Sequence, residues 1–245
     1  ANLCFKKGDT KITLGTGACT LTNIGSDLIS SKSALTALSF VYKGEPQYSF
    51  ECLTAFAGAT ISWIENNLNL INDPKDSERI SLELEDNGGV YVIPAFAGLS
   101  APYWLPSAKA MFYGITAATN FKHIVRASLE SVAYQIAAYL EYIQKNEKID
   151  ISKIIIDGGM TNNSFLMQLI SNLSQKEISI PLFPDMSSYG SLLMGLIGSG
   201  KCKNLDELEQ FRVKSRSFFP AKDERSMSDF TTWKEIIDKH FVNIS

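Results

Sequence analysis

The stretch Lys153–Gln168, KIIIDGGMTNNSFLMQ, changes character twice within sixteen residues. It begins with three isoleucines, 154–156, an unalternating apolar run that is typical of a strand buried on both faces. Gly158 and Gly159 end this run, and residues 161–163 then offer polar N-caps for a helix. The stretch therefore predicts a strand, a tight glycine turn and the start of a helix.

This turn has two interpretations. Glycine has no Cβ, so a ligand can approach its backbone closely, and a helix N-terminus at a strand end favours a nucleotide or an anion. The glycine spacing, however, matches neither the dinucleotide-binding fingerprint nor the Walker phosphate loop. An ordinary strand-to-helix turn explains the same residues, and the turn alone does not decide between the two.

Composition excludes several classes of protein. The chain has 245 residues, of which 45% are hydrophobic and 20% are charged, so it can bury a substantial core. A formal charge of −3 and a pI of about 5.5 give no basic footprint for nucleic acid or for an anionic membrane. No apolar run is long enough to span a membrane. The cysteines are far apart and form no C-x-x-C pair, which predicts reduced thiols in a cytoplasmic protein without a metal site: Cys4, Cys19, Cys52 and Cys202.

The order of the predicted elements indicates an α/β fold with a mixed sheet flanked by helices. Residues 10–23 predict two strands joined at Gly15-Thr16-Gly17, either as a plain hairpin or as a phosphate cradle to which the Thr16 hydroxyl adds a donor. A helix with a small-residue start follows over 55–68. The longest helix is predicted from Asn120 to Lys145, and the carboxylate of Glu130 within it is expected to be structural.

The charged segment 73–86 is expected to be solvated, with a helical piece near 77–84. Near the end of the chain, an acidic helix is predicted to begin near Asn204, and 220–228 are predicted to be a polar spacer before an amphipathic helix over 229–242. We therefore expect one main domain over residues 1–220 and a terminal helical extension over residues 221–245.

Four motifs in order make the chain resemble the carboxyl-terminal half of the FGGY carbohydrate kinases. They are GTG at 15–17, AGATISW at 57–63, PAFAGLSAPYW at 94–104 and DGGMTNNSFLMQ at 157–168. Residues 110–130 also fit the second signature of that family. The aromatic loop APYW resembles most the members that phosphorylate glycerol.

The resemblance implies an actin-like (ribonuclease H-like) ATPase domain that holds ATP for transfer of its γ-phosphoryl group to glycerol or to another sugar or polyol. Mg²⁺ would accompany the ATP. Thr16 would lie at the phosphates, Gly58 beside the nucleotide, and Gly159 and Asn163 against the adenosine. The full nucleotide site implied by the resemblance consists of Gly15, Thr16, Gly17, Gly58, Ser62, Gly158, Gly159 and Asn163.

The departures from the family pattern matter for catalysis. The aspartate that accepts the substrate proton in the family is expected upstream of Ala1, so no catalytic residue is predicted in this chain, and Asp9 does not replace it. The amino-terminal domain that carries the aspartate would be the principal partner, and a homo-oligomer remains open. Ser62 stands where glutamine is frequent, and Cys19 stands where an aromatic often borders the glycerol. These two positions leave open a different substrate or a non-catalytic nucleotide-binding or regulatory module.

Overall fold

The computed structural model describes residues 2–183 and 185–242. Within these residues, the chain forms four strands in succession and then a mixture of helices and strands, with nine strands and six α-helices in all. The strands are β1 (Asp9–Leu14), β2 (Ala18–Gly25), β3 (Leu35–Tyr42), β4 (Glu45–Thr54), β5 (Tyr91–Ile93), β6 (Met111–Tyr113), β7 (Lys153–Asp157), β8 (Ile178–Pro181) and β9 (Ser215–Phe218). The helices are α1 (Gly58–Asn66), α2 (Asp76–Leu82), α3 (Phe121–Lys145), α4 (Ser164–Ser174), α5 (Met186–Gly198) and α6 (Glu224–Ile237). Short 3₁₀ segments cover Gly159–Asn162 and Asp206–Phe211, and a π-helical turn covers Asp238–Val242.

The main sheet is mixed, as the sequence predicts. In the described chain its strand order is β3-β4-β2-β1-β7-β8-β9. The first four strands are antiparallel to their neighbours, but they do not form a simple meander, because β4 lies between β2 and β3. Strand β7 lies parallel to β1 on one side and to β8 on the other. The antiparallel edge strand β9 follows β8. The isoleucine run 154–156 is buried in this sheet, where β7 lies between β1 and β8. Ile154 and Ile156 belong to the core cluster that also contains residues of α3 and α4.

The core lies between the sheet and the long helix α3. Asn120 begins this helix, because its side chain accepts a hydrogen bond from the Lys122 N–H at 2.9 Å, and the Asn120 N–H donates to His123 Nδ1 at 3.1 Å. The prediction of an Asn120 cap is therefore confirmed. Strands β5 and β6 form a separate two-stranded sheet. No helix among the described residues combines the length and apolarity needed to cross a membrane.

One prediction near the end of the chain is wrong. The last α-helix begins at Glu224 rather than at residue 229, because the Asp223 side chain accepts from the Ser226 N–H at 3.0 Å and caps it. The polar segment predicted as a spacer therefore includes the first turn of α6. The acidic helix predicted near Asn204 is present as a short 3₁₀ helix, and the Asn204 side chain accepts a hydrogen bond from the Glu207 N–H at 3.0 Å.

Candidate functional site

Both glycine turns open at the same edge of the main sheet. Strands β1 and β7 are parallel neighbours, and Thr13 pairs with Asp157 at their carboxyl ends. The turn Gly15–Gly17 follows β1, and the turn that begins at Gly158 follows β7. In a sheet of this kind, ligands bind in the crevice beyond the carboxyl ends of the parallel strands. The fold therefore brings together the two turns that the sequence marks separately.

The β1–β2 turn is a tight hairpin that also anchors α1. The Gly15 N–H donates to Gly17 O at 2.9 Å, while Gly15 O accepts from the Gly58 N–H at 3.0 Å and Thr16 O accepts from the Ala59 N–H at 2.8 Å. A Cβ on Gly58 would lie 2.6 Å from Gly15 O, so this contact requires glycine. The carbonyl groups of the turn thus accept hydrogen bonds from the first N–H groups of α1. The Thr16 side chain is exposed at the tip of the turn.

The β7–α4 turn contains two glycines with opposite surroundings. Gly158 has a φ of 105°, and a Cβ on it would lie 2.4 Å from Leu14 O. A Cβ on Gly159 would meet nothing within 4 Å. Gly158 is therefore required by the fold, because it lets β7 turn against the end of β1. Gly159 faces open space, where a ligand can approach its backbone.

The first turn of α4 is capped by two side chains. Asn163 Oδ1 accepts from the Leu166 N–H at 2.8 Å, which confirms one of the predicted N-caps. Glu78 Oε1 accepts from the N–H groups of Ser164 at 2.8 Å and Phe165 at 3.3 Å. A carboxylate therefore already fills the position that the sequence offers to an anion. Of the nucleotide or anion that the sequence allows at this helix N-terminus, an uncharged part of a nucleotide suits this end of the crevice better than an anion.

A cavity of about 300 Å³ lies between these elements. It brings together five of the eight sequence-predicted nucleotide residues: Thr16, Gly58, Ser62, Gly159 and Asn163. Gly15 and Gly17 lie in the turn behind it, where a Cβ on Gly17 would come within 2.7 Å of Thr54 O. Gly158 opens instead onto an adjoining depression of about 730 Å³, which shares Gly159 and Asn162 with the cavity.

One wall of the cavity is a segment that the sequence assigns to solvent. Pro74, Lys75, Ser77 and Glu78 from α2 and the turn before it line the cavity opposite α4. Ser77, Ile80 and Ser81 are buried on the inner face of α2, so a weak helical pattern was present. The sequence predicts this helical piece, but the many charges of the segment led to the expectation that it is solvated and not part of a site.

The adjoining depression carries charge at the strand ends. Lys11 Nζ lies 3.5 Å from Asp157 Oδ1, and the Asn2 side chain donates to Asp157 Oδ2 at 2.9 Å. Both Lys11 and Asp157 line the depression, together with Thr13 and Arg216. The Arg216 guanidinium donates to the carbonyl oxygen of Thr161 and so braces the β7–α4 turn from outside.

Two further residues singled out by the sequence lie away from the cavity. Asp9 is buried at the opposite end of β1, where it accepts from the Ser152 hydroxyl at 2.9 Å and pairs with Lys153 at 3.4 Å, so it is structural. The Cys19 thiol lies 3.5 Å from Glu51 Oε1, and burial raises its pKa. The described residues contain no group of three His, Cys, Asp or Glu side chains that could hold a metal ion.

Glu130 is the buried hydrogen-bonded carboxylate that the sequence predicts. It accepts from Arg126 Nε at 2.7 Å, from the Asn87 side chain at 3.0 Å and from the Tyr134 hydroxyl at 3.3 Å. Burial raises the pKa of the Glu130 carboxyl, and the Arg126 guanidinium opposes that rise. Glu130 does not line the cavity and serves to join α3 to the segment between α2 and β5.

Comparison with protein families decides the class of this domain. The family model described as the FGGY family of carbohydrate kinases, C-terminal domain, matches residues 10–199. The chain belongs to this family. Its architecture, a mixed sheet with flanking helices, is the actin-like ATPase fold of the FGGY kinases. The fold class expected from the sequence is confirmed.

Individual FGGY proteins support the same assignment. The chain is 39% identical over 237 residues to a glycerol kinase of Clostridium perfringens (strain SM101), a match that covers 96% of this chain and 47% of that protein. It is 37% identical to a glycerol kinase of Haemophilus influenzae (strain Rd), over 97% of this chain and 48% of that protein. The chain thus spans about half the length of the curated relatives that it matches.

Solved FGGY structures superpose closely on this domain. Plasmodium falciparum glycerol kinase with ADP gives a TM-score of 0.89 at 29% identity, over 97% of this chain and 48% of that one. A ligand-bound xylulose kinase from Lactobacillus acidophilus gives a TM-score of 0.83 at 17% identity, over 99% of this chain and 50% of that one. The second likeness shows the shared FGGY fold alone.

Proposed function

We propose that this domain of the FGGY family holds ATP for a glycerol kinase, which transfers the γ-phosphoryl group of ATP to glycerol and yields glycerol 3-phosphate. The observation that carries the proposal is the cavity in which Thr16, Gly58, Ser62, Gly159 and Asn163 meet. They come from three separate parts of the chain, and the sequence motifs single out each of them. Relatives 35–39% identical to this chain are named glycerol kinase, and a similar solved kinase contains ADP.

The cavity suits a nucleotide lying in one direction. The nucleoside would lie against Gly159 and Asn163, where a Cβ-free backbone faces open space and a carboxylate has already taken the helix donors. The phosphates would point toward the Thr16 hydroxyl and the β1–β2 turn. Mg²⁺ would enter with the triphosphate as MgATP, since Mg²⁺ in kinases is held largely by substrate phosphates and water.

The remaining parts of the reaction would come from outside this chain. Phosphoryl transfer depends on positioning and on neutralising charge, and a separate base accepts the proton of the attacking hydroxyl. We place that base, an aspartate, upstream of Ala1 in an amino-terminal domain that closes over the cavity and binds the polyol. The cavity residues would then hold ATP in line with the hydroxyl. The described cysteines are all free thiols, which supports a cytoplasmic location.

The side chain at position 19 favours one alternative within the same class. Cys19 is half-buried beside Glu51, where the resemblance leads us to expect an aromatic bordering the glycerol. A smaller side chain there leaves room for a larger polyol or a sugar. A panel of polyols and ketoses, tested with the whole gene product and MgATP, separates the two: a higher kcat/KM for a larger substrate than for glycerol favours the alternative.

Isothermal titration of the 245-residue chain with MgADP tests the nucleotide site. We expect binding by the wild-type chain and a loss of at least about tenfold in affinity in Gly159→Val, because the branched side chain would occupy the nucleoside end of the cavity. Gly195→Val is the matched control, since its Cβ also meets nothing within 4 Å but lies on α5, away from the cavity. Equal affinities for all three proteins would refute the assignment.

A further inference from the structure

Helix α2 is too short to hold its own position. It has seven residues, Asp76–Leu82, and helices of this length are unstable in water without tertiary support. It nevertheless supplies one wall of the nucleotide cavity through Ser77 and Glu78, and the turn before it supplies Pro74 and Lys75. The contacts that fix α2 therefore also fix the shape of the cavity.

At the cavity side, α2 is fixed by Glu78. Its Oε1 accepts from both the Ser164 and Phe165 N–H groups, at 2.8 and 3.3 Å. These groups belong to the first turn of α4, so a single carboxylate joins the two helices that face each other across the cavity. Hydrogen bonds from backbone N–H groups to a carboxylate are among the stronger ones, and the negative charge is favourable at a helix N-terminus.

At the far end, α2 is fixed by Arg126. Its Nη1 donates to Ser81 O at 3.1 Å and to Leu84 O, while its Nε donates to Glu130 at 2.7 Å. The guanidinium also lies 5.2 Å from the ring centre of Phe165, whose N–H donates a hydrogen bond to Glu78. Arg126 thus holds the carbonyl end of α2, while Glu78 joins the other end of α2 to the first turn of α4.

We propose that Glu78 is a positioning residue that shapes the nucleoside end of this cavity. Its carboxylate oxygen fixes the wall formed by α2 against α4, and it occupies two N–H groups of α4 that would otherwise be free to bind phosphate. The α4 end of the cavity consequently suits the uncharged nucleoside, and the phosphates would lie at the Thr16 end. This role rests on the proposed ATP-binding function of the cavity.

Three variants of the 245-residue chain test the role of Glu78 by titration with MgADP and with adenosine. In Glu78→Ala, we expect the affinity for both ligands to fall by the same factor, about tenfold, because a pair of charge-assisted hydrogen bonds is lost at the nucleoside end. In Glu78→Gln, the amide oxygen still caps α4, so both affinities should stay within about threefold of wild type. Glu85→Ala, an exposed carboxylate after α2, is the matched control and should bind as wild type does.

Amide hydrogen exchange separates positioning from general destabilisation. The Ser164 and Phe165 amides should exchange faster in Glu78→Ala and return toward the wild-type rate in Glu78→Gln, while amides in β7 stay protected in all three. The proposal is overturned if wild type binds MgADP and Glu78→Ala binds it equally well, if Glu78→Gln loses as much affinity as Glu78→Ala, or if adenosine is unaffected while MgADP weakens. If wild type fails to bind MgADP at all, the proposed function itself is refuted.

Discussion

At the residue scale, Gly158 and Gly159 are neighbours that carry different requirements. Gly158 combines a positive φ with a contact to Leu14 O that leaves no space for a Cβ, so the fold requires glycine there. Gly159 has room for a side chain within the fold, and we propose that its backbone is left open for the nucleotide. The fold therefore requires glycine at 158 but not at 159.

Alanine substitutions at these two positions should therefore change the free energy of unfolding by different amounts. We expect Gly158→Ala to lower the free energy of unfolding by about 1–3 kcal/mol or more, because the backbone is strained and the Cβ overlaps Leu14 O. Gly159→Ala should change it by less than about 0.5 kcal/mol. Urea unfolding monitored by circular dichroism measures both values. Similar losses for the two variants would contradict the distinction.

At the element scale, α6 is attached firmly to the main core. Phe230, Trp233, Ile236 and Ile237 are buried in the same hydrophobic cluster as β1 and α3. The Trp233 indole N–H donates to Val92 O at 2.8 Å, which ties α6 to β5. The division of the chain near residue 220 remains a prediction, and the packing of α6 offers a way to test it.

Trp233→Ala provides that test. If α6 is part of the cooperative unit, removing this fully buried side chain should shift the single unfolding transition and cost about 3–5 kcal/mol. A separate extension would instead leave the main transition unchanged and melt by itself at lower denaturant. The matched control is Met227→Ala, an exposed position on α6, which should cost little.

The elements also show which parts of the fold the sequence can predict. The isoleucines of β7, the Asn120 cap and the Asn163 cap depend on local residues, and all three predictions are confirmed. The edge strand β3 was not assigned, because it gains its hydrogen bonds from β4 and leaves Leu38 and Val41 exposed. The wall formed by α2 was missed because Glu78 reaches Ser164, which lies 86 positions away along the chain.

At the scale of the whole molecule, we propose that this domain is one part of a larger catalytic arrangement. It spans about half of the relatives named glycerol kinase, and the proposed catalytic aspartate lies outside it. The described residues form the proposed nucleotide cavity and brace it from α2, α4 and the β1–β2 turn. Sequence motifs predicted five of the residues that line this cavity, whereas its α2 wall depends on contacts between elements that are distant along the chain.

Catalysis should consequently need more than this chain. We expect the 245-residue chain to bind MgATP but to transfer no phosphoryl group to glycerol, because it lacks the proposed base. The whole gene product should produce glycerol 3-phosphate under the same conditions. A coupled assay for ADP, with each protein and with glycerol omitted as the control, measures the difference. Turnover by residues 1–245 alone would contradict the placement of the base upstream.

The central claim is that the cavity between the β1–β2 turn and α4 holds the nucleotide. Titration of ¹⁵N-labelled chain with MgADP, followed amide by amide, tests it most directly. We expect saturable shifts concentrated at Thr16, Gly58, Gly159 and Asn163, with the largest changes from the phosphates near Thr16. Binding that leaves these amides unshifted and perturbs another surface, or no binding at all, would contradict it.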